Sequence, residues 1–83
     1  MSEHILRVDS TDQKGLVHAI TGVLCRHGCN ITSNGEFVDR ERGHFFMRTE
    51  FSGDFDPAEG GRELAEVLPG GANVRFAEKR DKD

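Results

Sequence analysis

The residues best suited to ligand chemistry lie in a single loop that contains Asp12, Gln13, Gly15 and Leu16. A helix beginning near Gly15 would direct its free N–H groups and the positive end of its dipole into this loop, which favours a bound anion such as a carboxylate. Asp12 can accept hydrogen bonds either from an ammonium group of a ligand or, as a helix cap, from the first-turn amides. These two uses compete, and local sequence alone favours the capped helix start over a ligand site.

The cysteines and histidines form no motif with a known ligand spacing. Cys25 and Cys29 are four residues apart, which fits neither paired zinc ligands nor a disulfide framework, so we predict two reduced, partly buried thiols. His18 and His27 stand at no trusted metal-ligand spacing from them, and no nucleophile accompanies any histidine. The sequence therefore predicts no catalytic residue, no metal site and no cofactor.

Length and charge limit the classes of function. The 83 residues make one domain with a small core, which association would help to stabilise. Eleven basic against fifteen acidic residues give a net charge of −4, which argues against a nucleic-acid partner and against binding to a membrane surface. No apolar run approaches the roughly 20 residues of a membrane span, and the N-terminus lacks a signal-peptide core, so we predict a cytoplasmic protein.

Hydrophobic periodicity predicts six elements in the order βαββαβ. Their predicted bounds are a strand over 4–10 that ends at Ser10, a helix over 15–27 that stops at Gly28, strands over 30–39 and 44–52, a helix between Asp56 and Pro69, and a strand around Val74 and Phe76. The second helix takes Asp56 as its N-cap and Pro57 as its first residue. Its predicted apolar side consists of Ala58, Leu64, Ala65, Val67 and Leu68, and its glycines, Gly60 and Gly61, are expected to weaken it by about 1 kcal/mol each.

This order folds most simply as an α+β, ferredoxin-like βαββαβ sandwich. The expected sheet is four-stranded and antiparallel in the order 4-1-3-2, with both helices on one face. One register of the first and third strands would pair Arg7 with Glu50 and Asp9 with Arg48. The same register would bring Leu6 opposite Phe51 on the helix-covered face.

The uncovered sheet face is predicted to carry Ile5, Val38 and Phe46, whereas Ile31 and Phe37 are expected to share a phase along the second strand. Such a face is too apolar to be fully solvated, which favours contact with another chain. Isolated exposed apolar residues are the simpler alternative. We therefore predict a homodimer.

Three other activities of proteins with this fold require residues that this sequence lacks or matches only in part. A metal chaperone would need Cys-x-x-Cys where the chain has 12–14, and an acylphosphatase-like enzyme would need an arginine in a phosphate loop where only Lys14 is present. An RNA-recognition module would carry aromatic residues on strands 1 and 3, and residues 42–49 match that pattern only at Arg42, Gly43 and Phe46. RNA binding remains a remote alternative.

Segments 12–17, 20–24 and 27–31 together resemble the first half of an ACT domain, the amino-acid-sensing module of metabolic enzymes. More narrowly, the chain resembles the N-terminal domain of formyltetrahydrofolate deformylases at 12–18, 27–31, 33–34, 36–40 and 45–51. The resemblance is close over residues 5–52. It implies an ACT regulatory domain over residues 1–78 and a charged linker over residues 79–83 toward a catalytic domain that this chain lacks.

The resemblance implies a function in regulation rather than catalysis. Enzymes of that family hydrolyse 10-formyltetrahydrofolate to tetrahydrofolate and formate for purine biosynthesis, and the chain alone is expected to have no such activity. A stand-alone ACT-type regulatory protein is the alternative. The implied partners are a small amino acid effector, glycine or methionine, and a second copy of the chain, with no nucleic acid and no membrane.

The implied effector site consists of Asp12, Gln13, Gly15 and Leu16 in the loop and Asn30 and Ile31 at the entry of the second strand. In ACT domains the latter pair is commonly supplied by a neighbouring subunit. An amino acid would present its carboxylate to the amides of Gly15 and Leu16 and its ammonium group to Asp12, while Asn30 would orient either end.

Overall fold

The structure is a computed structural model that describes residues 3–78. Its elements are β1 (Glu3–Thr11), α1 (Leu16–Arg26), β2 (Asn30–Asp39), β3 (His44–Ser52), α2 (Pro57–Val67) and β4 (Asn73–Glu78). All strand pairs are antiparallel, and the sheet order is β2-β3-β1-β4. The predicted ferredoxin-like plan is confirmed. Residues 79–83, predicted to be a linker, lie outside the described residues.

The core lies between one sheet face and the two helices. Alternate residues of β3 are buried and point toward the helices, as predicted from their alternation. The fully buried side chains include Phe51, Leu6, Ile20, Leu24, Leu64, Val23, Thr49 and Ser10. Thr49 satisfies its hydroxyl by donating to Asn34 Oδ1 at 2.7 Å. Within residues 3–78, no helix is long and apolar enough to cross a membrane.

The second helix contacts the rest of the fold through a stripe that begins with a glycine. Gly60, Leu64 and Leu68 are buried at successive four-residue intervals, and the ring of Phe55 lies against Gly60. The predicted N-cap is confirmed, since Asp56 Oδ1 accepts the N–H of Ala58 at 3.0 Å. The predicted apolar side is wrong in part, because three of its members are exposed; they are Ala58, Ala65 and Val67.

Strand β2 changes phase at Thr32, which corrects the predicted sheet faces. Ile31 lies opposite Phe51 and Ser33 lies opposite Glu50, so Thr32 is an extra residue in the ladder. After this bulge the alternation is inverted relative to Ile31. Val38 consequently packs against the core opposite Phe45, while Phe37 lies on the open face opposite Phe46. The predictions that Val38 is on the open face and that Ile31 and Phe37 share a phase are wrong.

The register of β1 and β3 differs by two residues from the predicted one. Arg7 lies opposite Arg48, Asp9 lies opposite Phe46, and Leu6 lies opposite Thr49. A two-residue shift leaves every side chain on its predicted face, so the buried pattern does not distinguish the two registers. Exposed ion pairs contribute at most about 1 kcal/mol and do not decide between them. Arg48 instead pairs with Glu50 of its own strand, at 2.6 Å.

Asp9 joins three strands of the sheet through its carboxylate. Its Oδ1 accepts a hydrogen bond from Asn73 on β4 at 3.1 Å and lies 3.3 Å from His44 Nε2 on β3. The hydrogen bond from Asn73 and then that from His44 lower the pKa of Asp9 below its usual value. The ionised form is thus the one that the folded sheet favours.

This network predicts a pH dependence of stability. Because the pKa of Asp9 is lower in the folded chain, its carboxylate stabilises the fold above the ordinary pKa, and this contribution is lost as the pH falls below about 4. We expect Asp9→Asn to lose less stability than the wild type between neutral and acidic pH in urea unfolding. Asp12→Asn is the matched control, because Asp12 makes no side-chain hydrogen bond among residues 3–78. Equal pH slopes for the wild type and Asp9→Asn would contradict the assignment.

Candidate functional site

The corner between β1 and α1, defined here as residues 12–16, is held in place by one backbone hydrogen bond and one glycine. The N–H of Asp12 donates to the carbonyl oxygen of Gly43 at 2.8 Å, which ties the loop to the β2–β3 hairpin. Gly15 then adopts φ 83° and ψ 10°, a left-handed conformation that side chains with a Cβ disfavour. Glycine at position 15 therefore allows the chain to turn directly from the loop into the helix at Leu16.

Asp12 does not cap the helix. Gly15 occupies the N-cap position of α1, no side chain accepts a hydrogen bond there, and the first turn contains no acidic residue. The first N–H groups of a helix have no intrahelical acceptor, so the amides at Leu16 and Val17 face the corner without one. The capped helix start that local sequence favours is thus not formed. Asp12 is exposed and lines the same concavity as Leu16 and Val17.

A concavity of about 600 Å³ opens at this corner. Its lining combines the corner with the first turns of α1 and with β2 and β3, and includes Asp12, Gln13, Gly15, Leu16, Val17, His18, Thr21, Glu36, Val38 and Phe45. The side chain of Leu16 is buried in the core, so only its N–H is available to a ligand. Carboxylates from Asp12 and Glu36 and the free helix amides give the concavity both polarities, which suits a zwitterion.

The two halves of the predicted site lie at opposite ends of the sheet. Thr11, next to Asp12, pairs with His44, whereas Asn30 pairs with Ser52 at the far end of the same strand. The eight residue steps along β3 from His44 to Ser52 correspond to about 26 Å. One chain therefore brings together Asp12, Gln13, Gly15 and Leu16 but not Asn30 and Ile31. Asn30 is exposed, and Ile31 packs partly against the core.

A second cluster joins the C-terminal end of α1 to the middle of α2. His27 Nε2 lies 3.0 Å from Glu63 Oε2, and Arg26 Nη2 donates to Glu63 Oε1 at 3.3 Å. Partial burial opposes ionisation of Glu63, but the hydrogen bonds from His27 and Arg26 outweigh it and lower the pKa of this carboxyl. Ligand atoms of His27, Glu59 and Glu63 lie within 4.8 Å of one another. Both carboxylates already have a guanidinium group nearby, since Arg26 contacts Glu63 and Arg62 lies 4.0 Å from Glu59. The cluster therefore serves as a contact between α1 and α2.

The two thiols lie in different environments. Cys29 is buried, and this burial raises the pKa of its thiol. Cys25 is exposed on α1, so the prediction that both thiols are partly buried is wrong for Cys25. Both are free, and neither lines the concavity at the β1–α1 corner.

The sequence matches the family model described as the ACT domain over residues 4–69. It is 44% identical over 76 residues to formyltetrahydrofolate deformylase of Haemophilus influenzae, an alignment that covers 92% of this chain and 27% of that protein. It is 42% identical over 72 residues to the enzyme of the same name from Escherichia coli, covering 87% of the chain and 26% of that protein. The chain thus spans about a quarter of the length of the curated relatives it matches.

The fold is similar to that of solved deformylase structures. The chain superimposes on the formyltetrahydrofolate deformylase of Pseudomonas putida with a TM-score of 0.75 and 32% identity, covering 89% of this chain and 28% of that one. For the Burkholderia mallei protein of the same name the TM-score is 0.81 at 24% identity, with 94% and 28% covered. These similarities are to one part of larger proteins, and the remaining three quarters have no counterpart within these 83 residues.

Proposed function

The chain belongs to the ACT domain family, and from that premise we propose that it is the regulatory, amino-acid-sensing domain of a formyltetrahydrofolate deformylase. In this proposal the hydrolysis of 10-formyltetrahydrofolate belongs to a separate catalytic domain in the cytoplasm. The observation that carries the sensing role is the N-terminus of α1, which has no side-chain cap and lines one concavity with the exposed Asp12. An enzyme regulated in this way would release formate for purine biosynthesis in response to glycine or methionine.

The corner offers each end of an amino acid a partner of opposite charge. The carboxylate would accept the N–H groups of Gly15 and Leu16 at the positive end of the α1 dipole. The ammonium group would donate to Asp12, with Glu36 on the β2 side of the same concavity. Gln13 would contribute a neutral amide at the rim. A ligand with so few atoms binds weakly, with a dissociation constant on the order of micromolar to millimolar.

A homodimer would complete this site with Asn30 and Ile31. Strand β2 is at the edge of the sheet, and an unpaired edge is a template for another strand. Antiparallel pairing of two β2 strands about their midpoint would set Asn30 of one copy opposite Asp39 of the other, and Ile31 opposite Val38. Since Val38 lines the corner concavity, a dimer of this geometry would bring the distant half of the site to the near half.

We expect amide chemical shifts to change at residues 12–16 and 30–31 when glycine, methionine or serine is titrated into the chain. The physical reason is that these residues supply the donors and acceptors of the proposed site. Asp12→Ala should abolish the changes without unfolding, whereas Asp54→Ala, an exposed carboxylate outside the concavity, should leave them intact. Sedimentation of the same samples should give the mass of a dimer. No shift with any amino acid would leave a dimerisation module without an effector, contrary to the proposal.

A further inference from the structure

Three arginines form a single row across the open face of the sheet. Arg75 on β4 lies opposite Arg7 on β1, and Arg7 lies opposite Arg48 on β3. Neighbouring strands are about 4.8 Å apart, so the row spans about 10 Å. Arg48 pairs with Glu50, and the charge of Arg75 helps to lower the pKa of the neighbouring Asp9; among residues 3–78, neither Arg7 nor Arg75 lies within 4.0 Å of a carboxylate. The row continues onto β2 at Gly35, opposite Arg48, where no side chain covers the surface.

Two phenylalanines lie beside this row. Phe37 on β2 lies opposite Phe46 on β3. Phe37 is 64% exposed and Phe46 is 42% exposed. The ring centroids are 6.2 Å apart with an angle of 31° between the planes. A shallow concavity of about 570 Å³ is lined by both phenylalanines, by the three arginines and by the carboxylates of Asp9 and Glu36. The open face therefore presents an aromatic platform next to a line of guanidinium groups.

The contacts within the domain leave part of this surface without a complementary partner, since Arg7 has no ion pair among residues 3–78 and Phe37 is 64% exposed. Like charges directly opposite each other on neighbouring strands repel, and exposed rings leave apolar area in water. Guanidinium groups bind phosphate and carboxylate in a bidentate manner, and aromatic rings stack on planar ligands. We propose that the open face is a binding site for an aromatic heterocycle that carries a phosphate or carboxylate tail. The ring lies over Phe37 and Phe46, and the tail lies along the arginine row.

This site is separate from the corner concavity, and it does not rest on the proposed regulatory function. The corner lies on the side of the helices, whereas the arginine row lies on the opposite side of the sheet. Pairing of β2 edges leaves the open face accessible. The lining of the open-face concavity contains three arginines and two carboxylates, Asp9 and Glu36, and this excess of positive charge favours a small anionic ligand as the occupant.

Amide chemical shifts measured with AMP and with folic acid test the proposal, because both probes join a heterocycle to an anionic tail. We expect shifts at residues 7, 37, 46 and 48 with at least one of them. Adenosine and inorganic phosphate supply the ring and the anion alone and should each bind at least about tenfold more weakly. Affinity should fall as the salt concentration rises.

Arg7→Gln separates a binding role from a structural one. It should lower the affinity for the tighter probe at least about tenfold and raise Tm by about 2–4 °C, because a central like charge is removed from the row. Arg62→Gln is the matched control, since Arg62 is an exposed arginine on α2, away from the open face. It should leave the affinity unchanged. Phe37→Leu should weaken the probe by removing the stacking surface.

Three results would overturn the proposal. Absence of shifts on the open face with both AMP and folic acid at about 10 mM would show that the surface has no such ligand. Equal losses of affinity in Arg7→Gln and Arg62→Gln would attribute binding to net charge. Tighter binding of a short single-stranded RNA than of either small probe would assign the face to nucleic acid.

Discussion

Gly60→Ala is expected to lower the free energy of unfolding by about 3 kcal/mol. A Cβ at position 60 would lie 2.1 Å from Cζ of Phe55 and 2.8 Å from both adjacent ring carbons. The ring cannot move freely, because it packs at 5.1 Å against Phe51 and at 5.2 Å against His27 between ring centroids. Moving it would disturb the core at the point where α2 meets the sheet. Urea unfolding measures the loss directly.

Gly61→Ala is the matched control for this prediction. Its Cβ would lie 3.7 Å from the nearest atom, a ring carbon of Phe76, which is an ordinary contact distance. The gain in helix propensity of about 1 kcal/mol should then raise stability. Adjacent glycines are thus expected to respond in opposite directions. If both substitutions stabilised the domain, the close approach of Phe55 to α2 would be disproved.

Mixing two variants that each fail to bind an amino acid is expected to restore binding. An Asp12→Ala chain retains Asn30, and an Asn30→Ala chain retains Asp12. If each site takes Asp12 from one copy and Asn30 from the other, a mixed dimer contains one intact site. Random association of equal amounts makes half of the dimers mixed, so roughly a quarter of the wild-type sites should return. Calorimetric titration of the mixture with the effector measures this fraction.

The control mixture combines Asp12→Ala with the double variant Asp12→Ala, Asn30→Ala. No Asp12 is present in it, so no site should return. Recovery in this control would show that Asp12 is not part of the site. Absence of recovery in the first mixture, with dimers confirmed by sedimentation, would instead place both halves of the site within one chain or remove Asn30 from it.

The order of elements and the buried faces were predictable because they depend on local alternation. Strands β2 and β3 have the predicted bounds, since each is a long segment limited by glycine or polar turn residues. Two other features depend on pairing between distant segments and leave no local pattern. These are the bulge at Thr32, which moves Phe37 to the open face, and the two-residue shift that sets Arg7 opposite Arg48.

The corner was predictable for a similar reason, because Asp12 and Gly15 are close in sequence. Local sequence did not predict that Asp12 leaves α1 uncapped. Gly15 occupies the N-cap position in a left-handed conformation, and no side chain caps the helix. Glu36 was missed because it reaches the concavity from another strand, beyond the bulge. The sequence predicts only that Gly60 weakens α2, because its contact with Phe55 depends on the folded turn between them.

If the proposed site takes Asp12 from one copy and Asn30 from the other, effector affinity depends on the concentration of the domain itself. A site shared between two copies exists only in the associated state, so by mass action a dilute sample binds the amino acid less tightly than a concentrated one. The first effector molecule bound would also stabilise the pair and prepare its second site. Below the dissociation constant of the dimer, saturation curves would therefore be sigmoidal, and above it they would be hyperbolic.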